Sequence, residues 1–140
     1  MFEELRGKRI LITGSTTGIG KAIAQRFVEE GARVMIHGLE EDLARETSAE
    51  LDDAPWQVSD LSDPDVPSRL IEASIRELGG LDGLVNNAGV VTRRQPAEMS
   101  LETWDWTYAI NVRAPFLLIQ AALEELSRNK GRVLNIGSVN

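Results

Sequence analysis

From Arg9 to Gly31 the sequence reads RILITGSTTGIGKAIAQRFVEEG, an apolar run that meets a cluster of glycines and then falls into helical spacing. The first six residues suit a strand. Ile19, Ala22, Ile23 and Phe27 then recur on one side of a helix over 18–30, and Gly31 suits the position just past its end. The same alternation continues along the chain. RVMIHG reads as a second strand, 40–51 as an acidic, solvent-facing helix, and WQVSD as a short third strand. Asp63 and Pro64 read as the cap and first position of a third helix, since Val66, Leu70, Ile71, Ile75 and Leu78 keep helical spacing up to Gly79. LDGLVNNAG supplies a fourth strand. A long helical stretch follows Ser100 and runs through FLLIQAALEEL, with Pro115 as the expected place for a kink. Gly131 closes that helix, and a fifth strand from Arg132 to Gly137 delivers Ser138. Five strands joined by four helices, with right-handed crossovers, predict an α/β fold in three layers: a doubly wound parallel sheet between helices.

Length and composition set the scale. The 140 residues suffice for one domain with a core, here residues 1–140, and are too few for two. Hydrophobic residues at 42% and charged residues at 26% are ordinary for a packed globular chain. The longest apolar stretch, APFLLIQAAL, is about ten residues and contains Gln120, too short to span a bilayer. The 15 basic and 22 acidic residues give a net charge of −7, and the basic ones are scattered, so neither nucleic acid nor membrane is expected as a partner. With no cysteine and a single histidine, His37, neither a cysteine site nor a histidine-rich metal centre can form, and no metal is expected. The N-terminal MFEELRGKRILITG begins acidic and breaks its apolar run with Arg6 and Lys8, unlike a signal peptide, which predicts a cytoplasmic protein.

The strongest chemical signal is TGSTTGIGK, where the first strand turns into the first helix. Gly14, Gly18 and Gly20 can take backbone angles closed to other residues and leave room for a pyrophosphate to approach the main chain. The helix N-terminus behind them offers free N–H groups and about half a positive charge. A tight strand-to-helix turn also favours glycine without any ligand. The spacing is not that of a phosphate loop, since Ala22 follows Lys21 and five residues separate Gly14 from Gly20. It is G-x-x-x-G-x-G rather than G-x-G-x-x-G.

TGSTTGIG resembles the cofactor turn of the short-chain dehydrogenase/reductase family. NNAG at 86–89, Asn111 followed by Val112, and NIGS ending at Ser138 match further motifs of that family in order, over Lys8 to Asn140. The resemblance implies a Rossmann-type fold, probed by an NAD(P)-dependent oxidoreductase chemistry in which hydride passes between nicotinamide and a secondary alcohol or ketone. It implies that Gly14, Ser15, Thr17, Gly18, Ile19 and Gly20 cradle the adenosine and pyrophosphate parts of the cofactor. Asp60 and Leu61 would contact the adenine ring, the alternative for Asp60 being a cap for the turn before the next helix. Asn87, Ala88 and Gly89, together with Asn86, would lie beside the cofactor ribose and also tie strands together. Asn111 would organise water near the active site, and Ser138 would orient the substrate. Thr92, Arg93 and Arg94 suit either substrate contact or solvent.

Cofactor choice turns on the end of the second strand. An acid there binds the ribose hydroxyls of NAD, and an arginine accommodates the 2′-phosphate of NADP. This chain has Gly38 and Leu39 instead, followed by Glu40 and Glu41. A like charge about 6 Å from a phosphate costs roughly 0.7 kcal/mol in water and up to about 2.8 at an effective dielectric of 20. The expected cofactor is NAD or NADP with NAD favoured. The family's proton-transfer pair, Tyr-x-x-x-Lys, is absent: the only tyrosine is Tyr108 and the only lysines are Lys8, Lys21 and Lys130. These 140 residues alone are therefore expected to be inactive. A fifth strand left as an exposed parallel edge suggests the N-terminal part of a longer domain. Alternatives are a non-catalytic dinucleotide-binding module or an oligomer-forming piece, because FLLIQAALEEL in relatives packs on a partner subunit, although the same stripe equally suits the sheet-facing side of that helix; a homo-oligomer is expected for the complete protein.

Overall fold

The structure, a computed structural model, describes residues 3–138. Its elements follow one another as strands β1 (Arg9–Ile12), β2 (Arg33–Gly38), β3 (Trp56–Val58), β4 (Gly83–Asn86) and β5 (Arg132–Asn135), with helices α1 (Gly18–Glu29), α2 (Glu41–Glu50), α3 (Val66–Leu78), α4 (Leu101–Tyr108) and α5 (Ala114–Arg128) between them. The five strands form one parallel sheet in the order β3-β2-β1-β4-β5. The doubly wound Rossmann-type prediction holds. The chain winds outward from β1 through β2 to β3, then returns past β1 to begin again at β4, so the order reverses between β1 and β4.

Alternation along the strands explains the three layers. Ile10 and Ile12 of β1, Val34 and Ile36 of β2 and Val85 of β4 pack with Ala24 of α1 and with Leu51 and Ala54 after α2. The intervening Leu11, Met35 and Leu84 face the other way, against Leu70, Ile71 and Leu78 of α3 and Ala114, Leu118, Ala122 and Leu126 of α5. Both faces of the three central strands are thereby removed from water, which suits their near-continuous apolar composition.

Several boundaries differ from the sequence reading. Strands β1, β3 and β5 end before Gly14, Asp60 and Gly137; Gly14 and Asp60 leave the sheet to line a cleft. Helix α3 begins at Val66 with Asp65 as its cap, not at Pro64. The Asp63 carboxylate accepts the Asp65 N–H at 2.8 Å and closes a turn of its own ahead of the helix. The long helix after Ser100 is divided: Ser100 caps α4 by accepting the Thr103 N–H, and residues 109–113 form a π-helical turn in which the Ala114 N–H reaches back to the Ala109 carbonyl. Pro115 has no N–H and crowds the carbonyl four residues earlier, so the ladder widens just before it rather than kinking at it.

Candidate functional site

The corner where β1 and β4 diverge is held by side chains. Thr13 Oγ1 accepts the N–H groups of Asn87 and Ala88, both at 3.0 Å, and Asn87 Nδ2 donates to the carbonyls of Thr13 and Gly14 at 3.0 and 3.1 Å. The NNAG segment therefore does tie strands together. Asn86 continues the work outward, donating to Asn135 Oδ1 of β5 at 2.9 Å, while its own buried Oδ1 has no protein partner.

Two glycines of the turn are required by this packing. Gly14 has φ of +61°, and a Cβ on it would sit 3.0 Å from Ala88 Cα. Gly20 is needed for room rather than for angle: a Cβ there would run into the Gly14 carbonyl and the Asn87 amide. Thr17, the cap of α1, makes no side-chain bond to the helix, so the first amides of α1 are open to an anion. Ile19, expected on the buried side of α1, is exposed on the cleft side because it lies in the first turn beyond the sheet edge.

His37, in β2, fixes the turn from the other flank. The Gly14 N–H donates to its Nδ1 at 3.2 Å, its Nε2–H donates to the Ser59 carbonyl at 3.0 Å, and its main chain exchanges bonds with Ser15. Burial pushes its pKa down from the usual 6.5 to about 4, with the Ser59 bond opposing that shift only in part, so the ring is neutral near pH 7. Sequence reading had used His37 only to exclude metal centres. Its signal was its place, at the end of the strand beside the glycine turn.

These groups enclose a cavity of about 480 Å³ at the carboxyl edge of the sheet. Ten residues expected to touch cofactor line it: Gly14, Thr17, Gly18, Ile19, Leu39, Asp60, Leu61, Asn87, Ala88 and Gly89. Gly38, named with Leu39 at the cofactor-choosing strand end, lines it too, and Thr16, His37, Ser59, Trp106 and Ile110 join them unforeseen. Ser15 and Gly20 are buried behind the wall; the Ser15 hydroxyl donates to the Ile12 carbonyl at 2.7 Å, so it supports the turn from within. Asp60 does cap its turn, accepting the Ser62 N–H at 2.8 Å, which holds its carboxyl below the usual range. Asn111 lies in the π-helical turn, and its amide brackets Val90, accepting from the N–H and donating to the carbonyl, both at 2.8 Å. Thr92 bonds Thr107 through its hydroxyl at 2.9 Å, and Arg93 and Arg94 are exposed. Ser138 is exposed beyond β5 and is not part of the cavity wall.

Among the described residues no lysine or arginine lines the cavity. Lys21 of α1 pairs with Glu50 at 2.7 Å, and Arg45 of α2 pairs with Glu41 and Asp42. A larger depression of about 660 Å³ lies elsewhere, between α1 and the β4–β5 side of the sheet, over Ile10, Phe27, Val85 and Leu134. It gathers apolar surface and gathers no chemistry comparable to the first.

A parallel sheet whose order reverses beside a glycine turn, with an open helix N-terminus at the same corner, defines a Rossmann-type nucleotide-binding class. The chain belongs to the short chain dehydrogenase family, whose profile matches residues 8–140. It is 39% identical over 144 residues to the 2,5-dichloro-2,5-cyclohexadiene-1,4-diol dehydrogenase of Sphingobium indicum, covering 99% of this chain and 58% of that protein. It is 36% identical over 147 residues to glucose 1-dehydrogenase 2 of Bacillus subtilis, covering 99% and 57%. The solved structure of a short chain dehydrogenase from Burkholderia cenocepacia in complex with NADP superposes with a TM-score of 0.89 at 34% identity, covering 96% of this chain and 56% of that one. The chain thus spans a little over half the length of the relatives it matches.

Proposed function

We propose that this chain is the cofactor-binding part of an NAD(P)-dependent oxidoreductase that moves a hydride between nicotinamide and a secondary alcohol or ketone. The observation that carries the reading is the clasped corner. Gly14 and Gly20 let the turn close against Asn87 and Ala88 where a side chain would collide, a Cβ on Gly18 would meet no atom within 4 Å, and the uncapped amides of α1 face the same cavity. A dinucleotide's pyrophosphate fits that cradle, where the helix dipole supplies the positive potential that no side chain provides. Gly18, Ile19, Thr17 and Leu39 would border the adenosine half, Asp60 and Leu61 the adenine, and Ala88 and Gly89 the inner ribose. The bound nicotinamide supplies or accepts the hydride; Ser138 would orient the substrate oxygen. Asn111 spends its amide on Val90, so any water it helps to hold would rest on its main chain.

The dehydrogenases of a cyclic diol and of glucose among the relatives support a small alcohol or ketone as substrate. NAD is favoured over NADP, because Glu40 lines the cavity and no lysine or arginine among the described residues does. Residues 1–140 are read as the N-terminal part of one longer domain, supported by the relatives' greater length and by β5, whose residues are all exposed. Without a Tyr-x-x-x-Lys pair these residues would bind cofactor and not turn it over; a missing general acid typically removes about two to four powers of ten in rate. A homo-oligomer is supported by an outward apolar stripe on α4 and α5.

Fluorescence titration with NADH and NADPH tests the reading. The parent chain should bind, and Gly14→Val should weaken binding by at least about tenfold, because its side chain meets Ala88 and loses the left-handed angle. Equal binding by parent and variant would sink the proposal.

A further inference from the structure

The ribose end of the cavity is built around one unusual contact. A Cβ on Gly38 would stand 2.6 Å from Thr16 Cγ2 and 2.7 Å from Thr16 Oγ1, closer than real side chains come. Thr16 is itself only 7% exposed and cannot easily yield. It is β-branched and stiff about its first torsion. Its carbonyl accepts from Thr47 Oγ1 of α2, and the residue before it is bonded to the His37 main chain on both sides. Thr16 makes no side-chain hydrogen bond among the described residues and lines the cavity, as do Gly38 and Leu39. Leu39, 71% exposed, brings neither charge nor donor.

We infer that Thr16 sets how this chain tells one nicotinamide dinucleotide from the other. Its side chain occupies the space that a carboxylate at position 38 would need, so the ribose edge is bounded by a threonine and a leucine. A 2′-hydroxyl then gains no carboxylate partner, and a 2′-phosphate meets no carboxylate at contact distance. Glu40, one residue farther along, lines the cavity while Glu41 pairs with Arg45, and discrimination against the phosphorylated cofactor is shallow. Positions 16 and 38 form a coupled pair: an acid at 38 becomes tolerable only when 16 is cut back. This inference rests on the dinucleotide reading of the cavity and goes beyond it by naming what fixes the choice.

The test measures Kd for NADH and for NADPH, with thermal melting of the same cofactor-free samples, in the full-length protein. The variants are Gly38→Asp, Thr16→Gly, the two combined, and Gly38→Ala alone and with Thr16→Gly. The parent should bind both cofactors within about tenfold of each other. Gly38→Asp alone should melt lower and lose at least about tenfold in affinity for both, because its stem collides with Thr16. Adding Thr16→Gly should restore NADH to within about threefold of the parent and leave NADPH at least about a hundredfold weaker, since a carboxylate then faces the 2′-phosphate. If Gly38→Asp does not fold, Gly38→Ala carries the same question: its melting penalty should shrink in the Thr16→Gly background. Gly38→Asp that binds NADH like the parent overturns the inference, as does a combined variant that keeps the parent's NADH/NADPH ratio or a melting cycle with no coupling. A parent that binds neither cofactor brings down the dinucleotide reading and this inference with it, whereas binding without coupling brings down this inference alone.

Discussion

The corner between β1 and β4 and the outer surface of α4 and α5 are opposite solutions to the same composition. At the corner, Thr13, Ser15, His37 and Asn87 place polar side chains in the interior and satisfy them against main chain, so that a turn of glycines is held from both flanks. On α4 and α5 the apolar residues come in two sets. Ala114, Leu118, Ala122 and Leu126 face the sheet. Trp104, Tyr108, Phe116 and Leu123, with Val112 of the π-helical turn between the two helices, face outward and are exposed. The corner is specified entirely within the chain. The outer stripe is large apolar surface that nothing among the described residues covers, of the kind that marks an interaction site. The difference teaches that the corner is held in place by polar side chains bonded to main chain, whereas the outer stripe is apolar surface left to solvent.

Acid should break the comparison most strongly, and only on one side of it. His37 titrates near 4 in the folded chain and near its ordinary 6.5 when unfolded. At pH 7 both states are neutral and nothing is lost. As pH falls below 6.5 the unfolded chain takes up a proton that the folded chain refuses, so stability drops by about 1.4 kcal/mol per pH unit and levels off near pH 4, after a loss on the order of 3 kcal/mol. Asp60 and Asp82, whose carboxyls are held below their ordinary range, add their losses only below about pH 4, so the two windows separate. Urea unfolding at pH 7, 6 and 5 measures the slope. His37→Gln should flatten it over that range; an unchanged slope in the variant would assign the loss to other groups.

A smaller effect should follow from unclasping the corner without acid. Thr13→Val keeps the shape and removes the oxygen that accepts from both Asn87 and Ala88. Two part-buried N–H groups then lack their acceptor, which should cost about 2 kcal/mol in urea unfolding. Because the same bonds place NNAG against the glycine turn, NADH affinity should fall as well. A variant that loses stability and keeps full affinity would show that the clasp serves the fold alone.

Much of the fold was legible because its signals are periodic. The second strand was read at its observed bounds, and the helical spacing of Leu70, Ile71 and Leu78 located α3 to within two or three residues. What escaped was decided by contacts between distant segments. Nothing near Asn111 in sequence says that its amide brackets Val90, or that Pro115 widens the turn in which it sits. Nothing near Thr16 says that it lies on Gly38. The site followed the same division: ten of the expected cofactor residues share one cavity wall, whereas Ser15 and Gly20 do their work from behind it. His37 was visible as a lone histidine, but its role depends on Gly14 and Ser59 meeting it from two different strands' ends.

The smallest effect on the isolated fold should come from the outer stripe, and that smallness is what sharpens the comparison. Phe116 is 60% exposed on α5 and Trp104 59% exposed on α4, so neither contributes much burial within the chain. Phe116→Asp should change urea stability of the monomeric state by no more than about 0.5 kcal/mol, as for most surface substitutions. If the stripe meets its counterpart on a second copy, the same change buries an unpaired charge in that contact and should shift the mass measured by light scattering from an oligomer to a single chain. Thr13→Val should do the reverse, lowering stability while leaving the assembly's stoichiometry intact. An oligomer that survives Phe116→Asp would place the contact elsewhere on the molecule, and the groove beside β4 and β5 would then be the next surface to alter.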